Sequence, residues 1–295
     1  MIVMHAVKEF LPSEKDSVCS DAAITIFNSV GSNASQDTGR VAEEFANRFN
    51  RVTFAVDRPR PDIEYLYPED VAVCGTTALL KQAQFIRRRC EERNIPLVIS
   101  AGQSAGGRTA LEFGKLNDEL GDVSIAFVYA SEPVGWYKTT PQAGFKEFKT
   151  YQSRQAALLR EDATRTLHDK QFIHPYNDAQ DLSHFMQFRR GLSIATQFGK
   201  DRLFNGVHWS QPAVPEDIKS LIAGGVRAHV DVAEVSMVYP GDCGLLDELV
   251  LASNGLFSAD RVAHTTHSSF DSRDFLGSRI AATTKIATGI DLLKV

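Results

Sequence analysis

Leu97-Val98-Ile99-Ser100-Ala101-Gly102-Gln103-Ser104-Ala105-Gly106-Gly107-Arg108-Thr109-Ala110-Leu111-Glu112-Phe113 joins an apolar run to a helix-forming run through a Gly-x-Ser-x-Gly element. A serine hydroxyl attacks a carbonyl only when it is presented to a base, and a sharp strand-to-helix turn lifts it out of the sheet. Gly102 and Gly106 flank the serine where β-carbons would collide with strained backbone or neighbouring elements. Chance alone places such a five-residue pattern in about one chain in ten of this length. Its surroundings therefore decide its meaning, and a strand before it with a helix after it make Ser104 the candidate nucleophile.

Outward from this element, short β-branched runs alternate with amphipathic segments. Ala23–Phe27 reads as a strand, Thr38–Phe49 as a helix with Val41, Phe45 and Phe49 on one face, and Val52–Val56 as the next strand. Thr77–Arg93 reads as a helix, Leu97–Ser100 as the strand entering the Ser104 turn, and Val123–Tyr129 as another buried strand. This alternation predicts an α/β fold: a mostly parallel central sheet with helices on both faces. Few residues precede Ala23, so any strand or hairpin there is short or absent.

The rhythm breaks after Pro133, and the next convincing strand is Glu234–Tyr239. Helical patterns near Phe145–Leu159 and His184–Phe198 fill the interval, which reads as a helical cap insertion. The expected organisation is a core of residues 1–134 and 231–295 with a cap of residues 135–230. Regularity returns in Arg261–His264 and a closing helix from Phe275 to about Leu293.

Composition narrows the function classes. The chain has 295 residues, 43% of them hydrophobic and 23% charged, with a formal net charge of −5. Such a balance gives no broad attraction to nucleic acid or anionic membrane. The basic run Arg87-Arg88-Arg89 shares a helix with Leu79, Ala83, Ile86 and Cys90 on the opposite face, and so reads as a solvated helix surface. No segment has the length of apolar sequence needed to span a bilayer. Met1–His5 lacks a basic, signal-like start and reads as the beginning of a strand. Cys19, Cys74, Cys90 and Cys243 are widely spaced without C-x-x-C pairing, so the default expectation is a reduced, cytoplasmic protein. His168, His174, His184 and His208 have no compact metal-ligand spacing, and Gly31–Ser35 is neither a dinucleotide fingerprint nor a phosphate loop. Neither a cofactor nor a metal is expected.

The ordered elements Phe27-Asn28-Ser29-Val30-Gly31, Asp57-Arg58, Gly102–Gly107, Tyr239-Pro240-Gly241-Asp242 and Thr266-His267-Ser268-Ser269-Phe270 resemble the α/β-hydrolase family over most of the chain outside the insertion. The resemblance implies a serine esterase- or lipase-like enzyme acting on a small-molecule acyl substrate, with its triad in the order Ser, acid, His. Ser104, Asp242 and His267 meet that order. Glu132, just beyond a strand, is the alternative acid, because related folds also carry the acid there. His264 is the alternative base, although the strand register of Val262 suits it to packing. The oxyanion donors implied are the backbone amides of Ala105 and Val30. Asn28-Ser29 departs from the His-Gly pair common before that second donor. The same resemblance leaves open carbon–carbon hydrolase, lyase or peroxidase-like chemistry, or a catalytically silent binding protein. The sequence carries no signal for oligomeric state.

Overall fold

The computed structural model of the chain describes residues 7–13, 18–27, 38–56, 68–136, 214–236, 238–239, 244–266, 270 and 272–294, with backbone alone for 68–78, 264 and 266. Its elements are β1 (Val7–Phe10), β2 (Cys19–Phe27), α1 (Gly39–Phe49), β3 (Arg51–Val56), α2 (Pro68–Glu92), β4 (Leu97–Gln103) and α3 (Ala105–Gly114). These are followed by β5 (Ser124–Ser131), α4 (Val214–Ala223), β6 (Ala228–Val235), α5 (Leu245–Ala252), β7 (Phe257–Thr266) and α6 (Arg273–Thr288). The strands form one sheet in the order β1-β3-β2-β4-β5-β6-β7, and only β1 runs antiparallel to its neighbour. β1, four residues long, precedes Ala23 and pairs with β3.

Inner strands of the sheet are covered on both faces, and all six residues of β3 are buried. One face carries α1 and α6, where Phe45, Phe49, Leu276 and Ile280 pack on Ile24, Ile99 and Phe127. The other carries α2, α3, α4 and α5, where Leu79, Ile86, Phe113, Ile218 and Leu249 pack on Phe54, Val98, Val128 and Val230. The predicted solvated face of α2 is present: Leu79, Ala83, Ile86 and Cys90 are buried, while Arg87 pairs with Glu91 and Arg89 with Glu9. Burial, with Glu9 and Glu91 nearby, pushes the Cys90 thiol up to about 12. This cysteine is a packing residue and not a nucleophile.

Three expectations are corrected. The strand read at Glu234–Tyr239 is β6, Ala228–Val235. Its polar residues His229 and Asp231 hid it, because they fill the sheet face opposite the apolar Val230 and Val232. Residues 214–230, read as part of the insertion, contain α4 and the start of β6. α4 packs tightly on the core, since a β-carbon at Gly114 would lie 2.6 Å from Leu221 and 2.7 Å from Val128. The closing helix ends at Thr288, where Gly289 adopts φ 78° and its amide closes on Lys285. Ser272 caps the start of this helix by accepting the Phe275 N–H. The helical patterns at 145–159 and 184–198, and the strand start at Met1–His5, lie outside the described residues.

The last residues are held at the amino edge of the sheet by Arg51, which is 2% exposed. Its guanidinium donates to both carboxylate oxygens of Asp21 and to the carbonyls of Phe49, Leu292 and Asp291. All five N–H donors are thereby used. Arg51→Met is expected to cost about 1.5–3 kcal/mol, the range for hydrogen bonds to a charged group. Urea unfolding measures that loss, and limited proteolysis should cut first within residues 289–294.

Candidate active site

Ser104 stands between the last residue of β4 and the first of α3, with φ 56° and ψ −121°. A non-glycine residue in this region is strained by about 1–3 kcal/mol and persists only when its surroundings impose it. Three backbone hydrogen bonds do so. The Ser104 N–H donates to the Ser131 carbonyl (2.8 Å), and the Ser104 carbonyl accepts the N–H groups of Arg108 (3.2 Å) and Val134 (3.3 Å). The glycines allow the turn to close. A β-carbon on Gly102 would lie 2.2 Å from the Gly106 carbonyl oxygen, and one on Gly107 would lie 3.1 Å from the Ser131 carbonyl oxygen. The turn is sheltered, since Ser104 is 5% exposed.

Its position in the sheet is informative. From β2 the chain moves to β3 on one side, then returns to β4 on the other, so the strand order reverses between β2 and β4. In open α/β sheets, ligands bind at the carboxyl ends of the strands at such a reversal. Phe27, the last residue of β2, pairs with Gly102 there. Ala105 opens α3, where the first N–H groups of a helix lack intrahelical acceptors and the helix dipole favours negative charge.

Glu132 follows the last residue of β5, is fully buried and takes φ 48°. Its Oε1 accepts the Ala233 N–H at 2.7 Å, and its Oε2 accepts the Ser236 hydroxyl at 2.9 Å. Its own N–H donates to the Asp231 carbonyl at 2.8 Å. His264 lies within β7, with only its backbone described. Val30, Asp242 and His267 lie outside the described residues. The elements leading to them end at this same carboxyl edge: β2 at Phe27, β6 at Val235 and β7 at Thr266.

Sequence reading missed a second group, because its members are spread over three strands and a helix. His229 Nδ1 lies 2.7 Å from Ser258 Oγ, and Nε2 lies 2.8 Å from Asp231 Oδ1. Asp231 Oδ2 also accepts the Tyr129 hydroxyl at 2.6 Å, and Arg279 from α6 binds Asp231 through two nitrogens and Asp260 through one. Tyr129 stacks on His229 at 6.0 Å. Burial pushes the Asp231 carboxyl up, but hydrogen bonds from His229 and Arg279 outweigh it and leave the group below the usual carboxylate range. Burial and the neighbouring Asp231 together hold Tyr129 well above its ordinary value, so it stays a donor. Ligand atoms of His229, Asp231 and Asp260 lie within 4.8 Å of one another, the spacing of a metal cluster, but Arg279 already supplies the positive charge between the carboxylates. This group ties α6 to the sheet. A surface cleft lined by Cys19, Asp21, Arg51 and Thr288–Asp291 lies at the opposite, amino edge, away from Ser104.

No family sequence model and no curated protein sequence matches the chain. Solved structures do. A soluble variant of monoglyceride lipase from Saccharomyces cerevisiae matches 96% of this chain and 91% of its own, at 10% identity and a TM-score of 0.58. MGS-M2, an α/β-hydrolase enzyme from a Medee basin deep-sea metagenome library, matches 94% of this chain and 92% of its own, at 14% identity and 0.53. A bromoperoxidase from Bacillus anthracis matches 95% and 94%, at 10% identity and 0.52. The chain has the α/β-hydrolase fold. These neighbours are hydrolase-fold enzymes. Among the described residues, no helix is long and apolar enough to cross a membrane.

Proposed function

We propose that the protein is a serine hydrolase that cleaves a carboxylic ester or related acyl bond through an acyl-Ser104 intermediate. The observation that carries this reading is the strained Ser104 backbone, held between β4 and α3 where the strand order reverses. Strain of this kind costs stability, and a turn with no chemical task would relieve it with glycine.

In this mechanism Ser104 Oγ attacks the acyl carbonyl while the imidazole of His267 takes its proton. Asp242 orients the imidazole and stabilises the imidazolium. The carbonyl oxygen becomes an oxyanion that receives the N–H groups of Ala105 and Val30. Collapse expels the alcohol, which takes the proton from the imidazolium. Water then attacks the acyl-enzyme with the same base, releasing the acid and restoring Ser104.

Chain connectivity supports this cast. Val30 follows Phe27 by three residues, a reach of at most about 11 Å. His267 directly follows the end of β7, and Asp242 is three residues beyond Tyr239. Substrate choice falls to residues 137–213, whose flanking residues are joined by the Val214 N–H, which donates to the Gly135 carbonyl at 3.2 Å.

Hydrolysis of short-chain aryl esters and labelling by a serine-directed phosphonate test the proposal. The label is expected on the peptide containing Ser104 and to be absent from Ser104→Ala. Equal labelling of Ser104→Ala, or a label mapping to Ser258 beside His229, would reject Ser104 as the nucleophile.

A further inference from the structure

One short stretch of chain grips Ser104 by both of its backbone polar groups. The Ser104 N–H donates to the Ser131 carbonyl at 2.8 Å, and the Ser104 carbonyl accepts the Val134 N–H at 3.3 Å. Residues 131–134 therefore clasp the strained turn from two sides. The fit is close, since a β-carbon on Gly107 would lie 3.1 Å from the Ser131 carbonyl oxygen.

The clasp is in turn held by the group around Asp231. One link is backbone: the Glu132 N–H donates to the Asp231 carbonyl at 2.8 Å. The other runs through side chains. Tyr129 and Ser131 are two residues apart on β5, so their side chains lie on the same face of the sheet, and both are fully buried. Asp231, kept in its charged form by His229 and Arg279, can only accept, so the Tyr129 proton is committed to its Oδ2 at 2.6 Å. Lone pairs remain on the phenol oxygen, and the Ser131 hydroxyl donates to it. That hydroxyl has one proton, and its distant alternative acceptor is the Gly102 carbonyl at 3.5 Å, on the strand entering the Ser104 turn. Polar contacts thus run unbroken from Arg279 through Asp231, Tyr129 and Ser131 to the Ser104 N–H. Core filling alone needs no hydroxyl at this place: Phe127, two residues earlier on the same face of β5, packs with a plain ring.

We infer that Tyr129 is a positioning residue that fixes, through Ser131, the carbonyl holding the Ser104 N–H. The inference rests on the serine-hydrolase reading above, with Ser104 as the nucleophile. A misplacement of about 1 Å in a reacting group costs about a hundredfold in rate, and a smaller shift costs less.

Aryl-ester kcat and KM, with deuterium exchange of the Ser104 amide followed by NMR, are to be measured in Tyr129→Phe, Ser131→Ala, the double variant and Ser104→Ala. Tyr129→Phe keeps a ring to stack on His229 and removes the hydroxyl alone. Each of the Tyr129 and Ser131 single variants is expected to lose about tenfold to a hundredfold in kcat, with KM little changed. The double variant should fall no further than the slower single one, because both break the same link. The Ser104 amide should exchange faster in all three. Were the hydroxyl only a tie for α6, Tyr129→Phe would speed exchange in α6 and leave kcat and the Ser104 amide as they are, which overturns the inference. Wild-type kcat in Tyr129→Phe overturns it too, whether or not Ser131→Ala folds, and leaves the serine-hydrolase reading standing if Ser104→Ala is inactive. Turnover retained in Ser104→Ala overturns that reading, and the positioning role with it.

Discussion

Ester turnover is expected to fall by about a millionfold in Ser104→Ala, the scale seen when a serine nucleophile is removed from a working triad. Ser104→Gly is expected to be as inactive and yet more stable. At φ 56° and ψ −121° any side chain is strained, and alanine keeps the β-carbon that glycine discards. The gain from relief is about 1–2 kcal/mol, reduced by the greater freedom of glycine in the unfolded chain. Steady-state kinetics and urea unfolding on both variants check the pair of outcomes. Residual turnover in Ser104→Ala near the wild-type rate would remove Ser104 from the chemistry. A less stable Ser104→Gly would mean that the turn is not strained in solution.

Asp231→Ala is expected to lower stability by about 3–5 kcal/mol, because it leaves a partly buried guanidinium, a buried tyrosine hydroxyl and an imidazole without their shared acceptor. Asp231 is fully buried and Arg279 is 24% exposed, so solvent screens this pair far less than an ion pair at the surface. The hydrogen bonds that hold the carboxyl below its ordinary value favour the charged form in the folded state. Its contribution is therefore fully present above the unfolded carboxylate pKa of about 3.9 and is lost as pH falls toward the lower folded value. Urea midpoints should drop between pH 5 and pH 3 in the wild type by more than in Asp231→Ala. Parallel slopes in the two proteins would deny Asp231 this role.

The contrast between these two residues shows what kind of information a sequence holds. Ser104 was legible because its signal is local: two glycines, a serine, a strand before and a helix after occupy one short stretch. The helix faces of α1 and α2 were legible for the same reason, since Phe45 and Phe49, or Ala83, Ile86 and Cys90, recur at helical spacing and are all buried. β6 was misplaced toward Glu234–Tyr239 because periodicity treats an inward polar residue as an outward one. His229 and Asp231 look solvent-facing until Tyr129, Ser258 and Arg279 are brought beside them. Glu132 was noticed as a carboxylate beyond a strand, but its partners lie about a hundred residues further along.

Sequence alone determined the α/β class, the strand-to-helix turn at Ser104 and the order of the residues proposed around it, because each depends on neighbours a few positions apart. Tertiary structure decided the strand order and the reversal between β2 and β4 that gives the Ser104 turn its place. It also decided that α4 belongs to the core and that two buried carboxylates, one just past β5 and one within β6, meet different donors. The Glu132 carboxylate joins the end of β5 to the end of β6 through Ala233 and Ser236, while Asp231 holds α6 through Arg279. A carboxylate's role is set by the donors that surround it, and those donors reach it only when distant strands pair.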